Sequence, residues 1–396
     1  MRNLKIIAGM ALLAACQQTP VLIVDNSLPI DVEETPIVIS RSAIEAKLQL
    51  TEGEFPVVMK GAELFPQQLD DLDGDGEWDE IALIAPTQAN TPVQLELNKT
   101  EEYPVFDQRT SVYLGIDYQR SDNFIEKDSE VRSPENIAMK YPMMYQMEGP
   151  AWENDKVGFR LYFDSRNGKD IFGKTTAEMV LSRAGTKKQN YHELDDWGMD
   201  VLKVGNSLGA GAIAMLHADT LVPLRNTASG EYETLIEGPV RTIFEVRQKG
   251  WDTPLGSIDV TERISIWAGQ YGYQEELITD IDGIKWVSGI VNKHSKEMIE
   301  GQTDGTKYIY TYDEQSENKD YMGMGLVVNK DSFLLSTQAP DSAAAVTETF
   351  YTVTNEGKFY FVAGWELTDP MFETQEGFSK VMEQQAQIFG NPIEVK

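Results

Sequence analysis

Among 396 residues this chain has only three histidines, and His192 stands in reactive company. The stretch YHELDDWGMDVLKVGNSLGAG, residues 191–211, sets Tyr191, Asp195, Asp196, Trp197, Asp200 and Lys203 around it. An imidazole titrates near neutrality, so such neighbours give it the chemistry of a general base. A second polar cluster, residues 148–162, holds Glu148, Trp152, Glu153, Asn154, Asp155, Lys156, Arg160 and Tyr162. A tryptophan followed by a carboxylate and an amide can stack on and hydrogen-bond a sugar ring. A tryptophan packed under a hairpin is the structural alternative. In GPVRTIFEVR, Arg241 and Arg247 can grip a carboxylate or sulfate bidentately, or else lie on a solvated face beside Glu245.

Other chemistries fit less well. His217 and His294 complete the histidines, and neither HxH nor HExxH spacing occurs, so they make a poor metal set. No GxSxG elbow is present, and GNSLGAGAIAM lacks the GK[ST] ending of a phosphate loop. DDLDGDGEWDE, residues 70–80, sets Asp71, Asp73, Asp75 and Asp79 at alternating positions. Oxygen ligands so spaced suit calcium in a structural role. The twelfth position from Asp71 is Ala82, so the bidentate glutamate of an EF-hand is missing. An acidic turn whose carboxylates cap backbone donors is the other reading.

The elements that must position these groups read as strands. In VGFRLYFDS, Val157, Phe159, Leu161 and Phe163 face one way while Arg160, Tyr162 and Asp164 face the other. Val240, Thr242, Phe244 and Val246 alternate likewise with Arg241, Glu245 and Arg247. PVVMKG, DEIALIAP, PVQLELNK, VTERISIWAG, KYIYTYD and KFYFVAGWEL continue the pattern between turn signals. Helical spacing is clear near the C-terminus, where Phe378, Val381, Met382, Ala386 and Phe389 share a face before Gly390 and Pro392. No period of about 20–50 residues recurs, which sets aside solenoids and propellers. The expectation is an all-β fold, a large antiparallel β-sandwich with a few short helices and a C-terminal helix.

The totals narrow the partners. With 34 basic and 64 acidic residues the formal charge is −30, so nucleic acid is a poor partner. An anionic substrate needs a local cluster of cations, which salt screening permits. Arg2 and Lys5 precede a short apolar run, Ile6 to Ala15, and Leu13-Ala14-Ala15-Cys16 has the form of a lipobox. The expectation is a signal peptide over 1–15, a lipidated N-terminus and linker over 16–36, and a catalytic sandwich over 37–396. Lipid on Cys16, the one cysteine, would anchor an outer-membrane lipoprotein facing the periplasm or the cell surface.

Four blocks together, PQQLDDLDGDGEWDEIALI, EGPAWENDKVGFRLYFDSRNGKDIFGK, YHELDDWGMDVLKVGNSLGAGAI and GPVRTIFEV, resemble a family from the polysaccharide-degradation loci of marine and gut Bacteroidetes. It was long a domain of unknown function, and a member is described as an oligosaccharide dehydratase of ulvan breakdown. The resemblance implies loss of water across C4–C5 of a non-reducing-end uronic acid, leaving a 4,5-unsaturated sugar. The expected form is a galactose-mutarotase-like supersandwich, with no required cofactor. No residue roles come with the resemblance, so they follow from the chemistry. Lifting H5 needs a base, the departing hydroxyl needs an acid, and the carboxylate needs neutralising. His192 or Tyr191 is the expected base and Tyr162 or His217 the expected acid. Arg160, Lys203 and Arg241 are the expected clamp, Trp152 and Trp197 the ring platforms, and Glu153 and Asn154 the hydroxyl holders. The rivals are a non-catalytic glycan-binding surface lipoprotein and a polysaccharide lyase that expels a sugar instead of water.

Overall fold

The computed structural model describes residues 19–132, 143–186, 190–295, 297–340 and 345–395; Cys16 and the leader lie outside them. Two layers of antiparallel strands make the main body. One is a nine-stranded sheet ordered Ser129–Arg132, Ser229–Glu237, Arg241–Thr253, Gly256–Trp267, Gly272–Ile278, Lys358–Trp365, Met322–Asn329, Thr306–Asp313, Ile299–Gln302. Facing it are two five-stranded sheets. The first runs Gly198–Asp200, Lys169–Lys174, Val157–Leu161, Ala151–Asn154, Thr110–Tyr113. The second runs Thr220–Pro223, Ala210–His217, Trp286–Val291, Thr349–Thr354, Phe333–Gln338. The expected all-β sandwich is the observed architecture.

Period-two alternation fills the space between the layers. Phe159, Leu161 and Ile171 from the first small sheet meet Phe244, Val246, Ile264 and Phe361 from the large one. Trp152 sits at the centre, its ring 5.7 Å from Phe159, 5.2 Å from Phe244 and 5.1 Å from Tyr273. Helix Gln375–Gly390, capped by Thr374, packs Phe378, Met382 and Phe389 on the outer face of the large sheet.

Residues before Thr100 build a smaller unit with its own core, including Ile37, Ile39, Ile81, Leu83, Leu95 and Leu97. Val21–Val24 pairs with Val93–Thr100, and Val32–Ser40 pairs with Glu80–Thr87 and, in parallel, with Ile393–Val395. Residues 21–24 and 32–36, where the sequence suggests a linker and possible first strand, are strands of this unit.

One polar device crosses the main core. The Lys169 ammonium donates to Glu262 at 2.8 Å and to Glu275 at 2.6 Å, and all three side chains are buried. Asn167 and Gln248 donate to the other Glu262 oxygen at 2.9 and 3.1 Å. Two carboxylates on one ammonium leave a surplus negative charge in a low dielectric, so one acid retains its proton. Burial, partly offset by Lys169, pushes Glu275 up to about 8. A folded-state value raised above the ordinary 4.5 means the unfolded chain releases that proton first. Stability from this group is then complete below about 4.5 and falls as pH rises toward about 8. Glu275→Gln, which imitates the protonated acid, should flatten that decline; melting temperatures of both proteins across this window would show it, and parallel curves would refute it.

Candidate functional site

Pairing register gathers the reactive groups. Val157–Leu161 and Lys169–Lys174 pair so that Arg160 lies opposite Asp170, and the next strand sets Asp200 opposite Phe172. Pleating sends Phe159 and Ile171 inward, and Arg160, Asp170, Phe172 and Asp200 to the outer face. That face is not open to solvent: Val180, Leu181, Ala184 and Trp197 from the following segment pack against Phe172.

Beneath this cover Arg160 is 3% exposed, and its Nη2 donates to Asp170 at 2.6 Å and to Asp200 at 2.7 Å. Its Nε reaches Asp170 at 3.2 Å and its Nη1 the Met147 carbonyl at 3.5 Å. The Tyr162 hydroxyl donates to the same Asp170 oxygen at 2.5 Å. Around these ions runs a contiguous row of side chains. The Arg166 guanidinium stands 4.0 Å over the Tyr162 ring, and Arg160 lies 4.9 Å from both the Tyr162 and Tyr191 rings. Tyr191 and His192 follow with ring centroids 4.4 Å apart. His192 Nδ1 lies 3.4 Å from Asp200, and its side chain is 64% exposed, so the imidazole sits at the surface end of the row.

The environment sets protonation. Burial, then the Asp170 charge, raises Asp200 well above the carboxylate range, although Arg160 opposes this. Burial lowers His192, and the Arg160 cation lowers it further, so the imidazole is neutral near pH 7. Burial raises Tyr191 while Arg160 pulls the other way, so its phenol keeps its proton yet has a cation ready for the phenolate. Tyr162 is also raised, by burial and then by Asp170. A neutral imidazole beside a protonated phenol is the pairing that base-then-acid chemistry asks for.

Of the residues singled out from sequence, Arg160, Tyr162, Tyr191, His192 and Asp200 come together. The others stand elsewhere or are committed. Trp152 and Trp197 are fully buried, so neither offers a face to a sugar. Glu153 accepts from Lys174 at 2.5 Å and from the Val180 and Leu181 N–H groups at 2.7 Å; it is a buried structural acid. Asn154 donates to the Trp267 and Gln270 carbonyls at 2.6 and 2.7 Å, joining the two layers. Arg241 is paired with Asp70 and Glu80 against Trp267, on the large sheet. His217 ends a strand of the other small sheet, opposite Thr220. Lys203 is exposed, and no ion pair ties it to the cluster among the described residues. Asp170, Arg166 and Glu148 were given no role from sequence, although Arg160 and Asp170 sit equally far either side of Ser165 in the SRNG turn. That symmetry, in a hairpin, is the signal that could have found Asp170.

In the acidic loop, Asp71, Asp73 and Asp79 bring carboxylate oxygens within 4.8 Å of one another. Asp75 is not in that group; its carboxylate accepts from the Glu77 N–H at 2.8 Å. Asp71 accepts from the N–H groups of Gly74 and Gly76, both at 2.8 Å, as a capped turn requires.

Residues 24–395 match the family described as Domain of unknown function (DUF4861). The chain belongs to this family. Beside DUF4861, "Uncharacterized protein P7" of Formosa agariphila is 23% identical over 416 residues, spanning 98% of this chain and 97% of that protein. Among solved structures, an alpha-mannosidase from Enterococcus faecalis V583 aligns over 92% of this chain and 45% of its own, with TM-score 0.42 and 9% identity. A protein in the Glycosyl Hydrolase Family 38 from Enterococcus faecalis aligns over 92% and 46%, with TM-score 0.37 and 8% identity. The chain thus spans about half the length of these two structures, and likenesses this distant say nothing of its activity.

Arg160 is the keystone of the site. Arg160→Leu strands two buried acids and should cost about 3–5 kcal/mol by urea denaturation. Adding Asp170→Asn and Asp200→Asn to that variant should recover part of the loss, since the stranded acid pair goes with them; no recovery would contradict the pairing.

Proposed function

We propose that this chain is a carbohydrate dehydratase acting on the non-reducing-end uronic acid of ulvan-type oligosaccharides. The supporting observation is the convergence of His192, Tyr191, Tyr162 and Arg160 on Asp170 and Asp200. The neutral His192 takes the C5 proton. The electron pair left behind forms the C4–C5 double bond as the C4–O bond breaks. Tyr191 protonates the departing hydroxyl, so one water leaves and the product is an unsaturated uronate. Asp200 orients the imidazole, and Arg160 steadies the Tyr191 phenolate until the proton returns from His192. The Tyr162 hydrogen bond to Asp170 makes it the weaker candidate for the acid.

The same reading extends to two features outside the site. We propose calcium at Asp71, Asp73 and Asp79 as a structural ion, and lipid on Cys16 as the anchor of an outer-membrane protein.

Incubation with a saturated, uronate-capped disaccharide should give the ultraviolet band of a conjugated uronate and a mass loss of one water. Neither signal appearing would sink the dehydratase reading, and shortening of intact polymer would mark a lyase instead. His192→Ala should lower turnover by about 10²–10⁴-fold. Because the base must be neutral and its value is depressed, the acid limb of kcat/KM should lie below 6.5, the ordinary imidazole value, with activity lost as pH falls through it. A limb above that value, or one that survives His192→Ala, argues for another base. For the metal, added calcium should raise the melting temperature and chelator reverse it; Asp71→Asn should abolish the shift, and no shift in the parent protein rejects the ion.

A further inference from the structure

We propose that Arg166 is the receptor for the substrate's carboxylate and that Glu148 occupies its place in the free protein. This inference rests on the dehydratase reading and names the group that would select an anionic sugar. Arg160 has spent Nε, Nη1 and Nη2 on Asp170, Met147 and Asp200 and is 3% exposed. Arg241 lies on a different sheet, its Nε and Nη2 held by Asp70 and Glu80. Arg166 gives Nε and Nη2 to Asp164, at 3.0 and 2.6 Å, and Nη2 also to Glu148 at 2.6 Å. Its Nη1 makes no hydrogen bond among the described residues, and the side chain is 33% exposed. It is therefore the cation of the row with donors still to give.

Its two acids are not equivalent. Asp164 is 2% exposed, shares both oxygens with the guanidinium and accepts the Arg166 N–H at 2.8 Å, so it fixes the cation in place. Glu148 is 14% exposed and holds Arg166 through one oxygen. Two acids on one cation leave a surplus negative charge. Exchanging the Glu148 carboxylate for one on a ligand keeps the charge balance at the guanidinium, whereas a neutral sugar gains nothing from the displacement.

The backbone under Glu148 supports its role as stand-in. Met147 and Glu148 both adopt left-handed conformations, φ 54° and 69°, which non-glycine residues rarely do in succession. The Phe163 N–H holds the Glu148 carbonyl at 3.0 Å. A Cβ on Gly149 would lie 2.1 Å from the Leu161 carbonyl, so the chain next to Glu148 is pinned against that strand. Strain maintained by surrounding contacts beside reactive groups is a mark of function. The position is right as well, since Arg166 touches Tyr162, which touches Arg160, which touches Tyr191 of the acid–base pair.

The test measures binding, not turnover, with free glucuronate as the probe and glucose as its neutral counterpart, followed by calorimetry or ligand-observed NMR. Glucuronate should bind in preference to glucose. Glu148→Gln should tighten glucuronate by roughly tenfold, because the internal competitor loses its charge, and leave glucose unchanged. Arg166→Gln should remove the preference. Equal binding of the two sugars by the parent protein, or unchanged or weaker glucuronate binding by Glu148→Gln, overturns the proposal. Glu148→Gln decides alone if Arg166→Gln does not fold. Arg166-dependent binding with no unsaturated product supports this inference and sinks dehydration. Product formed with unaltered KM in Arg166→Gln does the opposite.

Discussion

A guanidinium without water must find its counter-charges inside the protein, and around Arg160 that requirement organises everything else. The side chain points away from the sandwich core because its neighbours Phe159 and Leu161 take the inward positions. It cannot reach solvent, because the segment carrying Val180, Leu181 and Trp197 covers it. Antiparallel register supplies Asp170 directly opposite, and the next strand supplies Asp200. Once Asp200 is fixed its backbone N–H holds the Tyr191 carbonyl at 2.7 Å, and its carboxylate meets the His192 imidazole. Thus the buried ion cluster places the loop, and the loop places the reactive pair. A buried ion pair is weak evidence of stability but good evidence of a specified geometry, because a displaced partner leaves a charge unpaired.

The same cluster reshapes the electrostatics expected from sequence. A pocket of several free cations does not form; among the described residues Arg160 and Arg166 arrive already matched by Asp170, Asp200, Asp164 and Glu148. Such a site cannot draw in an anion by excess charge. On the proposed reading it accepts one by exchange, and the surface imidazole is neutral while the phenol beside it is protonated. The local dielectric then makes the Arg160–Tyr191 contact worth more than it would be in water.

How much was legible beforehand follows the range of the interactions. Period-two alternation is local, so the strand carrying Arg160 and Tyr162 and its inward face of Val157, Phe159 and Leu161 could be read directly, as could the apolar face of the C-terminal helix. His192 and Tyr191 were legible because their polar company is contiguous in the chain. Partners across strands were not. Nothing in GPVRTIFEVR says that Arg241 answers to Asp70 and Glu80, about 160 to 170 residues earlier. Trp152 illustrates the opposite error. Its acidic and amide neighbours suggested a sugar platform, but Glu153 and Asn154 are spent inside the fold on Lys174 and on backbone carbonyls. Polar residues adjacent in sequence need not make polar surroundings in space.

With Trp152 and Trp197 in the interior, a sugar at this site is left with the edges and faces of Tyr191 and His192, the imidazole, and the unspent Nη1 of Arg166. On the proposed reading stacking is then a minor source of affinity, and ionic exchange at one guanidinium would carry most of the discrimination. A formal charge of −30 looks hostile to that arrangement. Yet exposed charges more than about 8–10 Å away are screened at physiological salt, while the direct, partly buried Asp164–Arg166–Glu148 contacts are screened much less. The global field therefore governs solubility and slows approach of an anion in dilute buffer, whereas the outcome at the guanidinium is decided by which of two carboxylates, Glu148 or the ligand's, loses less on leaving water.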